Sequence, residues 1–143
     1  MKIKKVILHC SATKDYAPDH KKFNSINTET IRKWHIHDRN FSDVGYHYII
    51  LRDGTIEKGR EDNVIGAHCY GYNSESLGVC IVGTSLPTDY QVKSLKKLYM
   101  DILDKYGVDY NNWFGHYEYN KHKECPSIPM SLVRALLEST GKA

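Results

Sequence analysis

Ile3-Lys-Lys-Val-Ile-Leu-His-Cys10 is the stretch from which the fold can be read. Side chains of a strand alternate between two faces, so Ile3, Lys5, Ile7 and His9 fall on one side and Lys4, Val6, Leu8 and Cys10 on the other. Both sets turn apolar toward the end of the run, which predicts a strand covered on both faces. The same alternation means that His9 and Cys10 cannot both reach one point from regular strand geometry. A metal at this strand end could take only one of them.

Outward from this strand, Ser11 to Asn27 is polar, contains Pro18 and has no period, which predicts a loop. A helix then begins near Asn27 or Thr28, either of which can cap it, with Ile31 and Trp34 as its inward face. Gly45 precedes a strand over Tyr46 to Leu51, Asp53-Gly54 supplies a hairpin turn, and Thr55-Ile56-Glu57 returns. Gly78 to Val82 is almost wholly apolar and is expected at the centre of a sheet. Thr88-Asp-Tyr-Gln91 has the form of a capping box, followed by Val92, Leu95, Leu98, Tyr99, Ile102, Leu103 and Tyr106 at helical spacing until Gly107. A short strand around Trp113 to His116, an irregular loop and a closing helix complete the chain. That helix has Pro129 in its first turn and Leu132, Val133, Leu136 and Leu137 on its buried side. Strands interleaved with helices predict an α/β fold, one mixed central sheet flanked by helices on its faces, with residues 1–143 as one domain.

With 41% hydrophobic and 26% charged residues, the composition is that of an ordinary globular protein, which argues against disorder and against a membrane span. The net charge of +3 is spread along the sequence and reads mainly as a solvated surface, with some attraction to an anionic polymer, bacterial cell wall or nucleic acid. No basic-plus-aromatic signature calls for a nucleic-acid partner. Val6-Ile7-Leu8 is too short an apolar run for a secretion signal, so the chain is expected to be made in the cytoplasm without one. Cys10, Cys69, Cys80 and Cys125 form no C-x-x-C pair, which favours free thiols or a metal ligand over a zinc ribbon. A monomer is the default expectation.

Near the other end stands His116-Tyr-Glu-Tyr-Asn-Lys-His-Lys-Glu-Cys125. Two imidazoles and a thiolate, with one imidazole drawn from His9, would make the three protein ligands of a catalytic zinc that keeps a position open. Any one of these residues alone is more often packed or idle than bound to metal. His35 and His37 are spaced two apart on a helix and do not share a face, so joint metal binding there is not expected. His47 alternates with Tyr46 and should face away from a site that Tyr46 joins.

The order of His9-Cys-Ser-Ala-Thr13, Trp34-His35, Asp43-Val-Gly-Tyr-His47, Arg52-Asp-Gly-Thr55, Gly66-Ala-His68, Ser76-Leu-Gly-Val79 and Lys123-Glu-Cys-Pro-Ser127 resembles zinc-dependent N-acetylmuramoyl-L-alanine amidases of the bacteriophage T7 lysozyme type. These are related to peptidoglycan recognition proteins, and the resemblance runs from about Ile3 to Leu137. It implies that His9, His116 and Cys125 bind one Zn2+, that Tyr46 and Lys123 are the catalytic partners, and that His68 contacts substrate or supports the zinc ligands. The implied reaction is hydrolysis of the amide between N-acetylmuramic acid and L-alanine in peptidoglycan, as in an endolysin that acts on the cell wall after release or assisted export.

Pro126 disfavours helix at Cys125, so an extended backbone there can project Lys123 and Cys125 to the same side. The alternatives are a peptidoglycan-binding module without catalysis, or an amidase with an added regulatory protein-binding role. Relatives that lose activity commonly lack the thiolate ligand, and Cys125 is present here. The chain departs from the T7 type in a short connection from Gly83 to Gln91 and an expanded loop from Lys14 to Asn27, both candidates for the border of a groove. Tyr16, Tyr70, Tyr72 and Tyr117 are further candidates for groove contacts.

Overall fold

A computed structural model describes residues 2–140. The strand read first is β1 (Lys5–Cys10), and Val6, Ile7 and Leu8 are all fully buried, as a strand covered on both faces requires. Helix α1 (Thr28–Arg39) follows the long loop and is capped by Asn27, whose side chain accepts from the Thr30 N–H at 3.0 Å. The hairpin strands β2 (Tyr48–Ile50) and β3 (Ile56–Lys58) turn at Gly54, whose φ of 90° suits glycine. Strand β4 (Ser76–Ile81) is buried at every position. Helix α2 (Asp89–Tyr106) begins with the reciprocal Thr88–Gln91 capping box and ends at Gly107, φ 70°. Strand β5 (Trp113–Gly115), the single-turn helix α3 (His116–Tyr119) and helix α4 (Met130–Glu138) complete the described elements.

The sheet order is β3-β2-β4-β1-β5, with β2, β4, β1 and β5 parallel to their neighbours and β3 antiparallel. It is therefore mixed, with β4 at its centre as its apolar run implies. On one face Val6, Leu8, Leu77, Val79 and Trp113 pack with Leu95, Leu98 and Ile102 of α2 and Val133 and Leu137 of α4. On the other, Ile49, Cys80 and Val82 pack with Ile31 of α1 and with Val44 and Tyr46. The two-sided cover is what lets β1 and β4 carry so little polarity, and it leaves the C-terminal ends of β1 and β4 as the places where polar chemistry can emerge. Among the described residues, no helix is long and apolar enough to cross a membrane.

Three readings of local structure need correction. The inward residue that follows Ile31 on α1 is His35, 5% exposed, whereas Trp34 is 38% exposed. The helix buries an i, i+4 pair and turns Trp34 sideways. Leu132 of α4 is 62% exposed, because Met130, Val133 and Leu137 already form the buried stripe. Finally, His116 opens a helical turn instead of ending a strand.

Candidate metal centre

His9 is the penultimate residue of β1 and is 1% exposed. Strand β5 runs parallel beside β1 with Leu8 opposite Gly115, so the next residue, His116, arrives next to His9. Their ring centroids are 4.6 Å apart. The chain then makes one helical turn and doubles back, with Tyr117 N–H donating to the Cys125 carbonyl at 2.9 Å, which returns the Cys125 thiol to the same place. Potential ligand atoms of His9, His116 and Cys125 all lie within 4.8 Å of one another. Strand alternation had left His9 and Cys10 as rivals. His9 joins the group, while Cys10 offers its backbone N–H to Cys125 Sγ at 2.9 Å.

That N–H contact favours a negatively charged sulfur. Without a cation, the Cys10 thiol is held down to about 6 by its hydrogen bond with Cys125, and the same bond together with burial pushes Cys125 up. Cys125 therefore keeps its proton until a cation displaces it. The histidines are neutral: burial, then the charges of His68 and His116, keep His9 well below its ordinary value, and burial, then Lys123, lowers His116. Two neutral imidazoles and a thiol that a bound cation would deprotonate match the ligand set that zinc takes, so the residues fit a single borderline-soft dication.

The group lies in a cavity of about 630 Å³. Tyr46 and Lys123, the two candidate catalytic residues, both line it. Tyr46 is 9% exposed, its ring 5.1 Å from that of His9, and burial raises its phenol well above the ordinary value. Lys123 is exposed and lines the cavity from the loop, two residues before Cys125, and the Cys125–Pro126 bond is cis. His68 also lines the cavity and bonds to a candidate ligand, with its Nδ1 at 2.9 Å from His9 Nε2. Burial, then the charge of His47, lowers its pKa to about 3.

The remaining histidines divide as their spacing suggests. His35 accepts the Gly45 N–H at 2.8 Å, and buried His47 accepts the Gly78 N–H at 3.0 Å and meets the Val64 carbonyl at 2.7 Å. His47 is a packing residue, and His35 packs against Gly45 while also bordering the cavity. Tyr16, Tyr70, Tyr72 and Tyr117 are absent from the cavity wall. Tyr16 instead presents its carbonyl to buried Arg52, and Tyr70 is 97% exposed. Of the two loops that depart from the T7 type, Gly83 to Gln91 contributes only Thr84 to the wall and Lys14 to Asn27 contributes no residue; Ser11 and Ala12 line it from just after β1. Sequence reasoning missed Trp34, Asp38 and Arg39, which line the cavity from α1. The signal was available, since a helix that buries Ile31 and His35 must present Trp34 and Asp38 on an adjoining stripe.

Comparison with known proteins gives consistent results. The model of the N-acetylmuramoyl-L-alanine amidase family matches residues 1–128. The endolysin of Escherichia phage T7 is 39% identical over 109 residues, covering 71% of this chain and 67% of the phage protein. Among solved structures, the endolysin N-acetylmuramoyl-L-alanine amidase LysCS from Clostridium intestinale URNW matches with a TM-score of 0.80 and 25% identity, over 96% of this chain and 84% of that one. Peptidoglycan recognition protein-LE, in complex with tracheal cytotoxin, a monomeric diaminopimelic acid-type peptidoglycan, matches with a TM-score of 0.74 and 26% identity, over 87% and 74% of the two chains.

Proposed function

This chain belongs to the N-acetylmuramoyl-L-alanine amidase family, in its endolysin-type branch, and from that premise we propose that it is a zinc-dependent hydrolase of the amide between N-acetylmuramic acid and L-alanine in bacterial peptidoglycan. The observation that supports the reading best is the meeting of His9, His116 and Cys125 within 4.8 Å, in a cavity lined also by Tyr46 and Lys123. Those three residues would hold one zinc ion. When bound, the ion supplies Lewis acidity and a nucleophile competent near neutral pH.

The chain's own groups supply the rest. His9 and His116 each keep one lone pair available because burial denies them a second proton. Lys123, as an ammonium at the open side of the cavity, donates a charge-assisted hydrogen bond to the oxygen of the scissile carbonyl as negative charge grows there. Tyr46 keeps its proton and donates from the buried side to the same oxygen or to the attacking water, so two donors converge on one developing charge. His68 holds the ring of His9 in place through the contact between their nitrogens. Trp34 and Arg39 offer an apolar face and a cation along the groove for the muropeptide that carries the bond. Residues 1–143 act as one amidase domain and as a monomer, with the cell wall as the place of action.

The test measures zinc content and then the release of L-alanine amino termini from purified peptidoglycan, with and without chelator. Chelator-sensitive release is expected. Zinc-loaded protein that binds several wall types and cuts none would instead make this a peptidoglycan-binding module.

A further inference from the structure

Buried groups beside the ligands form a chain of hydrogen bonds with only one consistent direction. Ser76, fully buried at the start of β4, donates its single hydroxyl proton to the Tyr72 carbonyl at 2.8 Å. Its oxygen is also 3.3 Å from His68 Nε2. Because the hydroxyl proton is already committed, Ser76 can only accept there, and His68 must carry its proton on Nε2. His68 is buried among imidazoles with no carboxylate in hydrogen-bond contact, so it carries one proton and its Nδ1 is an acceptor. That acceptor lies 2.9 Å from His9 Nε2, which must therefore be an N–H.

The placement of His68 is built with equal care. Its N–H and that of Cys69 both donate to Asn73 Oδ1 at 2.9 Å, which fixes the backbone beneath the ring. The ring lies flat over Gly78, where a Cβ would come within 2.6 Å of His68 Cγ. Ser76 and Gly78 pair in register with Lys5 and Ile7, so they share the sheet face on which His9 projects. Ser76 thus reaches the ligand by acting through His68.

We propose that Ser76 is a positioning residue that sets the tautomer of His9, so that the proton stays on Nε2 and the lone pair of Nδ1 is the one given to the metal. The assignment of a metal rests on the function proposed above, but the tautomer does not. Without the Ser76 acceptor, His68 loses its preference for the Nε2 proton, and His9 loses the acceptor that holds its own.

The experiment is a long-range proton–nitrogen NMR correlation of the histidine rings in the intact protein, metal-free and zinc-loaded, with zinc affinity measured by competition against a chromogenic chelator. Wild type is expected to show His9 protonated on Nε2 before zinc and ligating through Nδ1 after it. Ser76→Ala is expected to mix the tautomers of His9 and His68 and to weaken zinc binding about 10-fold. Either His9 protonated on Nδ1 in the metal-free wild type, or an Ser76→Ala protein with unchanged tautomers and affinity, overturns the proposal. The wild-type spectrum decides even where Ser76→Ala does not fold. A wild type that shows the expected tautomer and takes up no zinc supports the relay while defeating the metal reading, which keeps the two failures apart.

Discussion

Apart from the residues that α1 supplies, the cavity has two walls of different character. One is buried against the sheet: His9 of β1 and, from the segments before β4 and β2, His68 and Tyr46 are 1%, 7% and 9% exposed, and the two histidines are hydrogen-bonded to each other. The other is carried by the stretch after α3, where His122, Lys123 and Glu124 are exposed and Cys125 is half-buried. The difference follows from what each wall holds. Burial keeps an imidazole neutral and ready to bind a cation, so His9, as a proposed ligand, gains from the sheet wall. An ammonium so buried would lose its charge, so Lys123 belongs on the wall that water can reach. Cys125 joins the two, rooted in the loop but with its sulfur against the Cys10 N–H.

The comparison is broken most severely by removing the proposed ligand His9 from the sheet wall. His9→Ala should abolish stoichiometric zinc retention after dialysis, and turnover of peptidoglycan should fall to the uncatalysed background. Atomic absorption and the amine-release assay read the two together, and activity that survives without metal would end the assignment. Next in size is Lys123→Met on the loop wall. Here zinc content should stay at the wild-type level while kcat falls about 100-fold to 1,000-fold, the usual loss of an oxyanion donor. The contrast between these variants is the comparison in measurable form: His9 on the buried wall is a proposed metal ligand, and Lys123 on the exposed wall is a proposed donor to developing charge. Should Lys123→Met lose zinc as well, the walls are not separable.

Tyr46→Phe should have a smaller effect. Phenylalanine keeps the packing beside His9 and removes one neutral donor, so kcat should fall about 10-fold to 100-fold, with zinc content and melting temperature unchanged. Full turnover by the zinc-loaded variant would confine Tyr46 to packing.

Much of this division was legible in the residues. The alternation of Ile3 to Cys10 gave a strand covered twice, and the Thr88–Gln91 box with Gly107 marked both ends of α2, because caps and alternation are local rules that tertiary packing did not override. The same alternation narrowed the ligand choice to His9 or Cys10, and only the parallel pairing of β5 beside β1 shows why His9 and His116 meet. Pairing partners far apart in sequence leave no local trace. The exposure of Leu132 was illegible for a related reason, since both stripes of α4 are apolar and the choice between them depends on where α2 lies. The relay through Ser76 was hidden too: its link to His68 crosses a loop whose path is set by Asn73, not by periodicity.

The smallest expected effect concerns the root of the loop wall. Helix α3, which opens with His116, is fastened by Glu118: its carboxylate accepts the Gly115 N–H at 2.9 Å and both Arg134 Nη1 and Nη2 at 3.0 Å. Burial acts to raise its pKa, but the Arg134 and Gly115 hydrogen bonds together with the Arg134 charge outweigh it and hold the carboxyl below its usual range. A carboxyl depressed in the folded state stabilises fully above its unfolded pKa, and that contribution disappears as pH falls through the folded value. Glu118→Gln should therefore cost about 1 kcal/mol in urea unfolding at pH 7, a modest figure because the pair is partly solvated. The deficit should shrink below about pH 4, where the wild-type carboxyl begins to take up its proton. A deficit that persists in acid would mean that Glu118 acts by packing alone. Because the damage is confined to the attachment of α3 to α4, the ring-nitrogen signals of His9 and His68 should not move. If they do, the sheet wall depends on the loop wall, and the two must be treated as one unit.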